Sequence, residues 1–437
     1  MAELRTVRIG DLGRVVTGKT PPSSQPELFG ELHPFLTPTD IDGFARYIEP
    51  ARFLSPEGRD YQHRLMLPER AVCVVCIGAT IGKVCMTGRP SFTNQQINSV
   101  VVNEDEHDPF FVYHLMTTLR DELKSNAGGA ATPIINKTAF SEIEVSVPPL
   151  PVQRRIAGIL SAYDELMENS QRRIRLLEAM ARALYREWFV HFRFPGHEKL
   201  PSPRGRRAGD EGAQLTPLGD IPQGWEVKPL ASLMIDHIGG GWGKDVADED
   251  HTEPAWVIRG TDIPDARSSR VADVPHRFHT VSNLRTRRLQ AGDILFEVSG
   301  GSKGQPVGRA LLVTPQLLSA LGDESVICAS FCKRVRPDAA GYGSELLYLS
   351  FVEGYESGEI EQFQVQSTGI SNFKWTEYIA KTERVIPPAP LRVSFRERVA
   401  PLFSQIATLG LQIQNLRRTR NLLLPRLLSG QVNLTTN

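Results

Sequence analysis

The chain has 437 residues, 41% apolar and 23% charged, ordinary values for a soluble globular protein and enough length for two or three domains with full cores. Fifty basic residues balance fifty acidic ones, so the net charge by itself gives no sign of a nucleic-acid partner. Five cysteines, an odd number at low density, argue against a disulfide scaffold. The longest apolar run, 71–79, is too short to cross a bilayer, and the first ten residues lack the apolar stretch of a signal peptide; the expected compartment is the cytoplasm.

From the N-terminus, Gly13-Arg14-Val15-Val16-Thr17-Gly18-Lys19-Thr20 matches the phosphate-binding pattern GxxxxGK[ST]. That pattern works when the loop opens a helix whose N–H groups face the phosphates. Pro21 and Pro22 follow at once, and a proline disfavours helical geometry at the residue before it, so a turn is expected instead. Residues 71–77 read as a buried strand, which puts Cys73 and Cys76 on opposite faces and denies them a shared metal. Cys328 and Cys332 are too far apart along a strand to share one, and all four read as core residues, with no metal site expected. Short β-branched runs and brief helical patterns at 110–124 and 344–354 give each half an α+β reading.

The chain repeats itself. Val147-Pro148-Pro149-Leu150-Pro151 returns 239 residues later as Ile386-Pro387-Pro388-Ala389-Pro390, and a long segment with a 4-3 apolar spacing follows each. The first seam is Ile156, Leu160, Tyr163, Met167, Ser170, Ile174, Leu177, Ala181, Leu184 and Trp188; the second is Phe395, Val399, Leu402, Ile406, Leu409, Ile413, Leu416, Arg420, Leu423 and Leu427. A mean step of 3.5 residues keeps one stripe facing a partner helix. About 35 residues make a rod of roughly 50 Å, longer than one small domain needs, so the two helices are expected to pair with each other. Upstream of them Thr39-Asp40-Ile41 echoes Thr261-Asp262-Ile263, and Thr132-Pro133-Ile134-Ile135-Asn136 echoes Thr368-Gly369-Ile370-Ser371-Asn372. Each half also has a Gly-rich turn after an apolar strand, at 77–83 and 299–304.

The order that emerges is a first domain over 1–150, a helix over 151–194, a Pro-, Gly- and Arg-rich linker over 195–222, a second domain over 223–390, and a helix with its tail over 391–437. Charge follows this division. The domains are acidic, with 14 basic against 18 acidic residues in 1–150 and 17 against 23 in 215–390. Segments 151–194 and 391–437 carry 8 against 5 and 7 against 1. That excess fits a solvated helix face as well as a surface for DNA or acidic partners. No HExxH, GxSxG or strand-borne GxGxxG occurs, and neither the Gly motif nor the Asn/Asp-Pro-Pro-aromatic motif of a DNA methyltransferase is present.

Five stretches resemble the specificity subunits of type I restriction–modification systems. Thr17-Gly18-Lys19-Thr20-Pro21 is similar to the family's TGxTP turn, and Asn94-Gln95-Gln96-Ile97-Asn98 to its NQQ element. Pro148-Pro149-Leu150-Pro151-Val152-Gln153-Arg154-Arg155-Ile156 resembles PPLxEQxxI, with Val152 in place of the acid. Trp188-Phe189-Val190-His191-Phe192 resembles WFVDF, with His191 in place of the acid, and Leu423-Leu424-Pro425-Arg426-Leu427-Leu428-Ser429-Gly430 resembles LLPxLLSG. The resemblance implies two target-recognition domains on an antiparallel helix pair with pseudo-twofold symmetry, each reading half of a split DNA site. It implies two methyltransferase subunits clasping the helices and motor–nuclease subunits beside them. Catalysis, S-adenosylmethionine, ATP and magnesium would belong to those partners, and this chain would hold no cofactor.

Base edges are read by Arg, Lys, Asn and Gln, and phosphates are gripped by Lys, Arg, hydroxyls and backbone N–H groups. On that chemistry the candidate DNA contacts are Thr17, Lys19, Thr20, Lys83, Asn136 and Lys137 in the first domain, and Trp242, Lys244, Ser302, Lys303, Asn372 and Lys374 in the second. Each Gly-Lys turn reads equally as a plain turn. Asn94, Gln95 and Gln96 are open to a role in the domain fold, and Arg285-Thr286-Arg287-Arg288 to a solvated edge as well as to phosphate. A coiled-coil adaptor with two protein-binding modules and a nucleotide hydrolase are the competing readings.

Overall fold

The computed structural model describes residues 4–41, 45–128, 133–196, 213–216, 219–300, 306–367 and 370–432. Most of the expected linker, and both Ser302 and Lys303, lie outside these residues. Within the linker span, Ala213–Thr216 and Gly219–Pro222 form an antiparallel hairpin where no regular structure was expected. Ile221, buried in one core with Trp225, Leu230 and residues far along the chain, is the apolar anchor that a period search over so short a stretch cannot register.

The chain divides into two compact units: residues 1–168 with 415–437, and residues 169–414. Their folds repeat each other closely. In the first unit a four-stranded antiparallel sheet runs in the order Gly13–Thr17, Ile97–Val102, Val72–Val75, Val84–Met86. The second has the same order in Met234–Gly239, Cys332–Pro337, Ile294–Glu297, Ala310–Leu312. A two-stranded ribbon closes each unit, Arg5–Arg8 with Glu144–Val147 and Glu226–Pro229 with Glu383–Ile386. The expected helical patterns appear as Pro109–Thr118 with Arg120–Ser125, and as Ser344–Glu356. Cys73 and Cys76 fall into different apolar clusters, as residues three apart on a strand must, and all five cysteines are buried free thiols.

The long helices are Leu150–Tyr185, continued by a π-helical turn over Arg186–Val190, and Ala389–Leu428. Every position of both 4-3 seams is buried or half-buried, none exposed. In the first unit Ile156, Ala157 and Leu160 share one core with Leu424 and Leu427, while Asp164, further along the first helix, pairs with Arg420, earlier on the second; the helices run antiparallel there. In the second unit Trp188 and Phe189 meet Phe395, with ring centroids 5.6 and 4.7 Å apart, in a core that includes Ala181, Leu184, Val399 and Leu402. Each helix therefore begins in the core of the domain before it and ends in the core of the other unit. The compact units divide inside the helices. The reason is length: a 36-residue helix spans about 54 Å, more than one domain can cover.

Gln153, from the Pro-Pro-Leu lead-in, fixes where the first helix leaves its domain. Its side chain is buried, accepts the Asp108 N–H at 3.0 Å and donates to the Pro148 carbonyl at 2.9 Å. Deeper in the same unit lies a buried polar cluster. Asp164 accepts from Arg420 at 2.5 Å, Arg46 pairs with Glu168 at 3.2 Å, and His114 Nε2 sits 3.3 Å from Asp164 without hydrogen-bond geometry. Although that contact is close enough for an ion pair, burial, then the Arg420 and Arg46 guanidinium groups, push the imidazole down to about 3, and it is neutral.

The unfolded chain thus binds a proton at His114 that the folded chain refuses between pH 6.5 and about 3. The stability this neutral imidazole supports is complete above pH 6.5 and falls as pH drops, by up to about 1.4 kcal/mol per pH unit. Burial raises Asp164 and Glu168, which offset part of the loss by taking up protons in the folded state. Urea unfolding followed by far-UV circular dichroism at stepped pH should give a shallower acid decline for His114→Gln than for the native chain. Equal slopes would refute the assignment.

Candidate nucleic-acid interface

Four stretches singled out in the first unit converge on one edge of its sheet. Thr17 faces Asn98, Val75 faces Ile97, and Val74 faces both Asn98 and Val84, so the loops at 17–20, 77–83 and 94–98 leave the sheet at the same end. The segment at 133–136 joins them: Ile77 bridges Ile134, and the Ile135 N–H donates to the Cys76 carbonyl at 2.9 Å. The two motifs on either side of an 80-residue gap are thus one structure. Thr17 Oγ1 bonds Asn98 Oδ1 at 2.6 Å, Thr20 Oγ1 bonds Gln95 Oε1 at 2.7 Å, and Gly18 and Lys19 donate their N–H groups to Ile97 and Thr93. A β-carbon on Gly18 would lie 2.2 Å from the Thr93 carbonyl oxygen and 2.4 Å from that of Asn94, so glycine is required by proximity. The resemblance to a nucleotide-binding loop ends here: residues 13–17 are a strand, no helix opens at 18–20, and the Gly18 and Lys19 N–H groups are spent on carbonyls.

The second unit builds the same edge from different side chains. Gly239 faces Lys333, Glu297 faces Cys332 and Phe296 faces Ala310. Gly240 and Gly241 donate to the Cys332 and Cys328 carbonyls at 3.0 and 2.9 Å, and a β-carbon on Gly240 would come within 2.1 Å of the Cys328 oxygen. Gly240 is therefore the counterpart of Gly18, and Trp242 that of Thr20. Arg277 lies over the exposed Trp242 ring at 4.4 Å, donates to its carbonyl at 2.6 Å, and pairs with Asp245. The Lys244 ammonium is bound by Asp248, whose carboxyl its hydrogen bond holds well below the usual range. Beneath the edge the buried Glu297 carboxylate takes both arms of Arg309, at 2.8 and 2.6 Å.

The structure separates the candidate residues by what their side chains do. Lys19 is exposed, its ammonium 5.6 Å over the Tyr61 ring, and Lys137, Trp242, Lys244 and Lys374 are exposed too. Lys83 instead braces its turn by donating to the Ile41 carbonyl at 2.6 Å. Asn136 caps the helix Lys137–Glu142 by accepting the Ala139 N–H, and Asn372 accepts from Ser299 at 2.8 Å. Gln95 is exposed, while Asn94 and Gln96 bond each other and shape the loop. In the arginine run, Arg285 and Arg288 are exposed and Arg287 donates to the Gly239 carbonyl at 3.0 Å, at the edge itself.

One repeat register needs correction. Asn136 corresponds to Lys374, not to Asn372, because each is the residue before its helix, Lys137–Glu142 or Trp375–Lys381, and each accepts the N–H four residues on. The Thr-x-Ile-x-Asn likeness misplaced the alignment by two residues. Sequence reasoning also missed Tyr61, Arg277 and the Gly18–Gly240 equivalence. The last was available as glycines 222 residues apart, the offset already given by Thr39 and Thr261.

Comparison with known proteins gives consistent matches. A family model described as the type I restriction modification DNA specificity domain matches residues 1–179. The type I restriction enzyme MjaIX specificity subunit of Methanocaldococcus jannaschii is 24% identical over 429 residues, covering 97% of this chain and 92% of that protein. The HindI specificity subunit of Haemophilus influenzae is 34% identical over 178 residues, 39% of this chain and 38% of that one. Among solved structures, the S subunit of a type I restriction–modification system from M. genitalium has the same fold, with a TM-score of 0.55 at 13% identity over 98% of this chain and 96% of that one.

Proposed function

We propose that this chain, similar over most of its length to type I restriction enzyme specificity subunits, is itself such a subunit: it reads a split, asymmetric DNA site and directs its partners to methylate or cut. The observation that carries this reading is the repeated sheet edge. Two units of one strand order present equivalent Gly-pinned loops, but Thr17-Gly18-Lys19-Thr20 stands in one where Gly239-Gly240-Gly241-Trp242 stands in the other. One scaffold with two sets of loop side chains is what two dissimilar half-sites call for.

In this reading the subunit is not itself an enzyme and holds no cofactor. Two methyltransferase subunits bring S-adenosylmethionine to adenines in the site, and motor–nuclease subunits bring ATP and magnesium. The complex works where the DNA is, in the cytoplasm. Lys19 and Lys137 on one unit, and Arg285 and Arg288 on the other, supply the exposed cations for the backbone, while Lys244 and Lys374 are already paired with Asp248 and Glu377. The protein's zero net charge makes these local groups, and the partner subunits, the source of affinity.

The test is a genome-wide map of methylated adenines in cells carrying this subunit with its cognate methyltransferase. The expected map shows one motif in two unlike halves separated by unread positions; Gly18→Ala, which displaces the 17–20 loop, should relax one half only, and Lys19→Ala should weaken binding without changing the bases chosen. A single uninterrupted motif, or none that depends on this chain, would overturn the proposal.

A further inference from the structure

The second unit's edge carries an aromatic side chain that the function so far leaves unused. Phe331 is 58% exposed, on the tight turn between the strands Ser325–Cys328 and Cys332–Pro337. Among the described residues its ring meets no aromatic or cationic partner. By the backbone bonds that make Thr93 the counterpart of Cys328 and Ile97 that of Cys332, Phe331 occupies the place that Gln96 holds in the first unit.

Its pedestal is stiff. The Phe331 carbonyl accepts N–H groups from Val298 and Ser299 at 2.9 and 3.2 Å, the Cys332 N–H closes the turn onto Ala329 at 2.9 Å, and Gly240 and Gly241 clamp the other side. A large ring held out to solvent on a rigid turn gives up little conformational freedom on binding, so its apolar surface is available to a ligand at small entropic cost. The chemistry around it selects an anionic ligand. Lys333 and Arg287 lie at the same edge, while Lys244, after the glycine loop, is held by Asp248. Trp242, 41% exposed, is a second aromatic at this edge.

We propose that Phe331 is an apolar base reader of the second recognition unit, packing against the 5-methyl group of a thymine in its half-site while the neighbouring cations hold the backbone. Phenylalanine offers no hydrogen bond, and the thymine methyl is the one apolar group that a base edge displays in the major groove. The first unit, with Gln96 in this place and Gln95 exposed beside it, reads by polar contact. The inference rests on the DNA-reading function proposed above and adds the chemical means of discrimination at one unit.

The experiment uses the full chain assembled with its methyltransferase partner. The complex is offered duplexes with both half-sites randomised, and the bound fraction is sequenced; the half-site unaffected by Gly18→Ala is the one assigned to the second unit. In the native complex that half-site should demand thymine at one position at least, by about tenfold. Phe331→Ala should lose this preference and keep the others. Replacing that thymine by deoxyuridine, which lacks the methyl group, should weaken the native complex by a similar factor and leave Phe331→Ala unchanged. Because the ring is exposed, the variant keeps its core, which unchanged tryptophan fluorescence would verify. If the native complex selects sequence and Phe331→Ala selects the same bases, the inference fails alone. If the native complex selects nothing, the DNA-reading function fails and takes the inference with it.

Discussion

Arg420→Ala should destabilise the first unit by about 3–5 kcal/mol, the cost of leaving a buried charge without its partner. Asp164, 3% exposed, has no free cation to turn to: Arg46 is engaged with Glu168, and burial, the first cause of His114's low proton affinity, acts without Arg420. Asp164→Ala should cost less, because the Arg420 side chain, 15% exposed, can reach water once released. The paired change Asp164→Leu with Arg420→Leu should come out near neutral or stabilising, since two desolvated charges give way to apolar contacts in an apolar seam. All five tryptophans lie between residues 188 and 375, in the second unit, so fluorescence reports on that unit and serves as the control. Amide hydrogen exchange of 72–75 and 111–116 reports on the first. Arg420→Ala should strip protection from those segments with the fluorescence midpoint held. Equal losses for Arg420→Ala and Asp164→Ala would show that desolvation of the carboxylate is not the controlling cost.

The seams were legible because a helix writes its buried face into the sequence at a fixed spacing, and both 4-3 ladders are buried or half-buried throughout. Arg420 was visible as a polar break in the second ladder but not explicable, because its partner is 256 residues away on the other helix. The same limit governed the candidate interface. Thr17 and Lys19 could be picked from residue chemistry, but their attachment to Asn98 and Thr93 depends on which strands neighbour each other, and strand pairing leaves no periodic mark. Lys83 and Asn136 looked like contacts because lysine and asparagine serve ligands and turns alike; only geometry shows an ammonium on the Ile41 carbonyl and a side chain capping a helix. Phe331 went unread because an aromatic next to an apolar strand looks like core until its exposure is known.

The equivalence of Gly18 and Gly240 predicts matched phenotypes from two substitutions 222 residues apart. Each glycine lets two chain segments approach so closely that a methyl group would fall 2.1–2.4 Å from backbone oxygens of the facing turn, Thr93 and Asn94 in one unit, Cys328 and Ala329 in the other. Carbonyls in a hydrogen-bonded turn cannot swing aside as a flexible side chain would, so Gly18→Ala must push the 17–20 loop off the sheet and break the Thr17–Asn98 and Thr20–Gln95 bonds. The expected result is at least about a tenfold loss of discrimination at the first unit's half-site, with the other half still read. Gly240→Ala should do the reverse, displacing Trp242 with the loop and relaxing the half-site that Gly18→Ala leaves intact. Gly158→Ala is the control: it sits in the first long helix with no atom within 4 Å of the added carbon, and should stabilise by up to about 1 kcal/mol with specificity unchanged. Methylation mapping of the three variants decides the matter. Loss of both halves by either interface glycine would mean that the units do not read independently, and loss of neither would remove the loop edge from recognition altogether.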